Sequence, residues 1–213
     1  QVSIPNIIYG DFGQEKKTYS AKPNNNFLGQ LMILPDGRKF RLAQCSTATA
    51  VTAGCVVAGS AGIAGHGNVA ASGILASATT TYNQIGDTVI QLVANTGTSA
   101  PVTKDDYAHG VLNVQAGSGA GQLYKIKSNG SAASGAAFTV TLFPEDPFVV
   151  AFQATTTSCS LRKSPFKDAV LGSTSAAIGS VIGVTPTPVA ASYFFWAARS
   201  GPTSVRTCAT SVI

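Results

Sequence analysis

Residues 27–44 read FLGQLMILPDGRKFRLAQ. Leu28, Met32 and Leu34 are interleaved with Gly29, Gln30 and Pro35 in an apolar, strand-like run. Pro35, Asp36 and Gly37 then supply turn chemistry. Proline presets φ, aspartate bonds back to nearby backbone, and glycine accepts positive φ. Beyond the turn, Arg38, Phe40 and Leu42 alternate with Lys39, Arg41 and Ala43. Two alternating runs around a short glycine-containing turn predict a β-hairpin.

Outward from this hairpin the same signals recur. Val51 to Val57 predicts a short strand with Gly54 as a bend, inside a stretch (45–85) dominated by Ala, Gly, Ser and Thr. Asp87 to Ala94 is rich in β-branched residues. Gly110 to Gln115 and Gln122 to Ser128 predict two strands joined by the glycine-rich turn 116–121, and Asn129–Gly130 predicts another turn. Phe138 to Phe143 alternates cleanly, Pro144, Pro147 and Pro165 interrupt the chain, and Val181–Val184 and Ser192–Ala198 predict the last strands. No amphipathic helix longer than about two turns passes the 3.6-residue test. The expectation is an all-β protein: a β-sandwich or barrel-like domain of short antiparallel strands over residues 27–213, with room for two β subdomains.

Residues 1–26 differ. Ile4, Ile7, Ile8, Tyr9 and Phe12 are apolar anchors without strand or helix period, and Asn24, Asn25 and Asn26 separate them from the hairpin. Two readings stay open: an irregular strand on the chain's own core, or an extended N-terminal arm lying across something else. The second is taken as the expectation. Ile4, Ile7, Ile8, Tyr9 and Phe12 are then the buried anchors, and Lys16, Lys17 and Lys22 face acidic groups on a partner. The chain starts at Gln1 and its single Met is Met32, which points to processing or to a sequence that starts inside the gene product.

Composition narrows the function classes. Of the 213 residues, 45% are hydrophobic and 11% charged. That charge is far below the roughly 25% of ordinary domains, which suits a subunit of an assembly better than a catalytic cleft. The net charge of +5 is spread along the chain, unlike a nucleic-acid footprint. No uninterrupted apolar run of about 18 residues predicts a membrane span. Cys45, Cys55, Cys159 and Cys208 form no C-x-x-C pair, so a zinc site has little support. Buried free thiols are expected, with a Cys45–Cys55 disulfide as the main rival.

Catalytic and metal-binding patterns are weak. Asp105, Asp106 and His109 in KDDYAHG resemble a ligand or acid/base cluster, but at no established spacing. Gly117, Gly119 and Gly121 miss both phosphate-loop patterns. Glu145–Asp146 between two prolines reads as a solvated turn, and His66 among glycines as a loop histidine. Asn129–Gly130–Ser131 matches the glycosylation sequon. No catalytic, metal or cofactor site is assigned, and no enzyme activity is expected. Tyr193, Phe194, Phe195 and Trp196 are the densest hydrophobic point. In a strand Tyr193 and Phe195 face one side, Phe194 and Trp196 the other. Both faces must therefore be covered, by the chain's own core or by a neighbouring subunit.

Three stretches carry a resemblance. They are LGQLMILPDGRKFRLAQ, KDDYAHGVLNVQAGSGAGQLYKIKSN and ASYFFWAARSGPTSVRT, in that order. Asp36, Gly37, Arg38, Phe40 and Arg41, then Tyr107, Gly110, Leu112, Val114, Gly119, Tyr124 and Ile126, then Tyr193, Trp196, Gly201 and Pro202 resemble the capsid decoration, or cement, proteins of tailed phages. Together they cover about half the chain; residues 45–85 and the N-terminal arm depart from the pattern. The resemblance implies a non-enzymatic virion protein, made in the bacterial host cytoplasm. It would sit as a homotrimer on the outer capsid surface and staple neighbouring major capsid subunits. It implies no direct contact with nucleic acid or membrane. Two rivals remain: a receptor- or glycan-binding β module such as a fibre head or adhesin, and a hydrolase with an unfamiliar site.

Overall fold

A computed structural model describes residues 7–23, 26–63, 66, 74–76, 84–93, 100–153, 156–172 and 179–206. The strands, in chain order, are β1 (Ile7–Tyr9), β2 (Thr18–Tyr19), β3 (Leu31–Ile33), β4 (Lys39–Gln44) and β5 (Val56–Ala58). They continue as β6 (Ile74–Ala76), β7 (Val89–Val93), β8 (Val111–Ala116), β9 (Leu123–Asn129), β10 (Ala137–Leu142) and β11 (Ser158–Arg162). The last are β12 (Val170–Leu171), β13 (Val181–Val184) and β14 (Phe194–Ser200). The helical content among the described residues is one 3₁₀ turn, Gln14–Lys16. The protein is all-β. It divides into two units, one built from Gln1–Ala61 with Pro165–Ile213, the other from Gly62–Ser164. The second is thus inserted in the sequence of the first.

The first unit is an eight-stranded sheet in the order β1-β3-β4-β14-β13-β5-β12, with β2 paired to β14. The hairpin of residues 27–44 lies in it as the sequence predicts. Met32 pairs with Phe40 and Ile33 with Lys39. Gly37 sits at φ +82°, the left-handed conformation that the turn requires. Met32, Leu34, Phe40 and Leu42 are buried and pack with Trp196 and Ala198 in one cluster. A second cluster holds Ala43, Cys45, Val57, Ile182, Phe195 and Ala197. Strand β14 therefore feeds two cores from alternating side chains. It lies between β4 and β13 and pairs with β4 over most of its length. Trp196 is 1% exposed and Phe195 fully buried, while Tyr193 is exposed. The chain's own core covers both faces at Phe195 and Trp196, which settles the alternative left open for them.

The second unit is a closed barrel, β10-β7-β6-β11-β8-β9, antiparallel at every step. The period-2 alternation explains the closure. Ile90 and Leu92, Leu112 and Val114, Tyr124 and Ile126, Phe138 and Val140 all point into one apolar cluster, capped by Phe148 and Phe152. The β8–β9 hairpin closes through the glycine turn that the sequence predicts. At Gly117 (φ +80°) a Cβ would also meet the Thr156 carbonyl oxygen at 2.5 Å. The turn predicted at Asn129–Gly130 falls elsewhere. Asn129 ends β9, and the chain turns around Gly135, at φ +76°. The expected strand Val51–Val57 is split. Val51 bridges Val189, Gly54 bends at φ +76°, and β5 starts at Val56.

The arm expectation is overturned for its described part. β1 lies parallel to β3, with Ile7 opposite Leu31 and Tyr9 opposite Ile33, and β2 pairs with β14. The Gly10 amide donates to the Ile33 carbonyl at 3.0 Å, and Ile8 and Tyr19 pack against the Trp196 cluster. The reason is backbone satisfaction: without β1 the edge of β3 would leave its polar groups unpaired. Residues 7–19 are thus tied to their own sheet through β1 and β2 and do not reach away from it. Ile4, Asn24 and Asn25 lie outside the described residues.

Candidate functional site

The KDDYAHG stretch is the first place to look for chemistry. It forms a compact turn in the barrel unit. Asp105 and His109 both adopt left-handed φ, at 61° and 62°. The Thr103 amide donates to Asp106 Oδ2 at 2.9 Å, and Lys163 Nζ stands 3.4 Å from Asp106 Oδ1. The Asp105 amide donates to the Asn129 carbonyl at 3.0 Å. Asn129 Oδ1 accepts the Tyr107 amide at 2.8 Å, and its Nδ2 donates to the carbonyls of Thr103 and Gly130. The His109 ring packs on Phe143 with centroids 6.1 Å apart. Each acid thus bonds backbone or a lysine, and the two acids do not converge with His109 on one point. Among the described residues no group of three or more His, Cys, Asp and Glu side chains could hold a metal ion.

The same network disposes of the sequon. Asn129 is buried and its side-chain amide is fully engaged. It pins the Thr103–Gly110 turn to β9, and it offers no acceptor for a sugar. Likewise Asp146 bonds the Lys125 amide at 2.8 Å and closes a local turn with Phe143.

One acid–base pair escaped sequence reasoning. His66 Nδ1 and Tyr107 Oη lie 2.6 Å apart, with the residues 2% and 1% exposed. Burial pushes the His66 pKa down, against the weaker pull of the Ala100 backbone and the Asp106 carboxylate. Burial also pushes the Tyr107 phenol up, with Asp106 adding to it. Both groups are held neutral, and His66 Nε2 has no hydrogen-bond partner among the described residues. A base and a hydroxyl in contact resemble a catalytic pair, but sealed in apolar packing they bring no reactive group to solvent. His66 is a loop histidine as expected, standing in a turn, but it is buried. Its glycine-rich neighbours gave no signal of burial.

The surface is more informative. On β1, Ile8 turns inward while Ile7 and Tyr9 face out, and Tyr9 is 81% exposed. Phe12 follows at 63%. Lys16, Lys17 and Lys22 are exposed as well. Of the anchors expected to be buried in a partner, Ile7, Tyr9 and Phe12 are thus open to one, and Ile8 is already committed to its own core. The segment is held by a latch that the sequence did not suggest. Glu15 is buried and accepts the Gly13 amide at 2.7 Å. Arg38 Nη2 stands 3.6 Å from Glu15 Oε1, and Arg38 Nε donates to Asp36 Oδ2 at 2.6 Å. Arg38, in the turn of the hairpin, thereby ties the 3₁₀ turn to β4.

Beside this latch lies a cleft of about 460 Å³. Glu15, Lys16 and Arg38 form one wall, Ala53, Gly54 and Pro186 another, and Pro202, Thr203, Ser204 and Arg206 the third. The Arg206 amide donates to the Gly54 carbonyl at 2.9 Å and fixes that third wall.

The cysteines divide. Cys45 and Cys159 are free and buried, as expected, and burial raises both thiols, Cys159 to about 12. Cys55 is disulfide-bonded, which overturns the free-thiol expectation there. Because Cys45 is free, the rival Cys45–Cys55 bond is not formed either. Cys208 lies outside the described residues. No family model, no curated protein and no solved structure matches this chain.

Proposed function

We propose that this chain is a structural virion protein that decorates the outer surface of a phage capsid. It cements neighbouring major capsid subunits as a homotrimer and has no enzymatic activity. The observation that carries the reading is the exposed set Ile7 and Tyr9 on the edge strand β1 with Phe12 in the turn after it, on the same segment as Lys16, Lys17 and Lys22. An apolar strip rimmed by lysines suits a mixed apolar and acidic protein surface. The order of the three sequence stretches and the low charge support the same assignment. Three copies of one weak contact add avidity, because the second and third become intramolecular.

The test compares purified virions with procapsids of the same phage by quantitative gel. The protein should be abundant on the expanded head and absent from the procapsid. Equal abundance on both, or absence from the head, would sink the reading. Light scattering after size exclusion should give a trimer. The exposed aromatics Tyr9 and Phe12 are also what a glycan-binding module would need. Specific binding on a glycan array, without binding to heads, would favour that second reading.

A further inference from the structure

We infer that the cleft between the 3₁₀ turn and the Pro202–Arg206 segment is a receptor for an acidic peptide segment of the protein partner. This inference rests on the decoration reading and names the chemistry of one contact within it.

The charges in the cleft come from four side chains. Lys16, Arg38 and Arg206 are cationic, and Glu15 is the one carboxylate in the lining. Arg38 is already matched by Glu15 and by Asp36. Among the described residues the Lys16 ammonium has no ion-pair partner, and the residue is exposed at the rim. Thr203 and Ser204 are exposed on the facing wall, and their hydroxyls have no hydrogen-bond partner among the described residues. The site thus brings together the exposed Lys16 ammonium, the cationic side chain of Arg206 and two hydroxyls, which are groups that recognise carboxylates.

The walls are preorganised. Pro186 and Pro202 have fixed φ, and the Gly54 amide donates to the Thr185 carbonyl at 2.6 Å. Arg38 is held at both ends and stacks over the Phe40 ring at 5.7 Å. A rigid cleft loses little entropy on binding, so a few charge-assisted bonds suffice for a weak, repeatable contact. Buried Glu15 beneath Arg38 also sets a selectivity. A highly charged polyanion would crowd against that carboxylate, whereas an extended peptide with spaced acids need not.

The experiment titrates the ¹⁵N-labelled full chain with a synthetic oligoglutamate peptide, in parallel with oligothymidylate and inorganic phosphate. The expected result is amide shifts confined to Gly54, Thr203, Ser204 and Arg38, with neither control competing. Lys16→Glu should weaken the peptide at least tenfold without changing the melting temperature. Lys127→Glu, an exposed lysine of the other unit, should not weaken it. Shifts spread over all exposed lysines, or stronger binding of phosphate or the oligonucleotide, would overturn the inference. Sedimentation with expanded heads separates the two readings. Wild type that binds heads but not the peptide overturns the cleft alone. Peptide binding at the cleft by a chain that never binds heads overturns the decoration reading and leaves the cleft standing.

Discussion

The insertion of one unit in the other makes a sharp prediction. Gly59 and Pro165 belong to the first unit and touch: a Cβ on Gly59 would sit 2.8 Å from the Pro165 carbonyl oxygen. The points where the chain leaves and re-enters that unit are therefore side by side. Replacing residues 62–164 by a short Gly-Ser linker should leave a folded eight-stranded sheet. Conversely, the fragment 62–164 should fold alone, because its barrel closes on itself and buries its own apolar cluster. The magnitude follows from loop closure. An unfolded insert of roughly 100 residues costs about (3/2)RT ln(100/4), near 3 kcal/mol, more than a linker of about four. The linker variant should thus exceed by about 3 kcal/mol a full chain whose barrel is unfolded by Ile126→Asp. Urea denaturation followed by far-ultraviolet circular dichroism measures both. If the linker variant shows no cooperative transition, or the fragment 62–164 shows no amide protection, the division into two folding units is wrong.

Four shorter predictions follow. Trp196→Ala should cost roughly 3–5 kcal/mol, since losing a fully buried aromatic leaves a cavity in its cluster with Met32, Phe40 and Leu42; an unchanged melting temperature would contradict its burial. Reduction should lower stability by about 2–4 kcal/mol through Cys55, and melting with and without reductant decides it. Arg38→Ala leaves the buried Glu15 carboxylate without its cation and should cost about 1–3 kcal/mol, with faster amide exchange in residues 7–19 as its signature. His66 is held below its ordinary pKa of about 6.5, so the unfolded chain binds the extra proton first. Its contribution is fully present above about pH 6.5 and is lost as pH falls toward the lowered folded value. His66→Gln should flatten the pH profile of the melting temperature in that window, and an unchanged slope would show that His66 is already solvated.

Where burial and strand period coincide, local sequence was enough. Met32, Phe40 and Leu42 alternate with polar neighbours because one face of their hairpin is core, and the same holds for Leu112 and Val114 or Phe138 and Val140. The two-sided burial at Phe195 and Trp196 was legible for the same reason. What stayed hidden depends on pairing at long range. β1 is three residues whose partner lies more than twenty positions away, and its parallel register leaves no turn in the sequence. β11, SCSLR, is polar at three of its five residues, yet it closes the barrel between β6 and β8. The border of the inserted unit is equally silent, since Gly59–Ala61 and Ser164–Pro165 read like any other loop. The arm illustrates the consequence for function. Its apolar residues are split between two sides: Ile8 packs, with Glu15 also buried, toward its own sheet, and Ile7, Tyr9 and Phe12 remain exposed. A residue pattern divided between the chain's own core and the exposed side has no single face to report. Aperiodicity in such a segment is therefore a sign of divided commitments, and does not by itself show that the segment is free to leave.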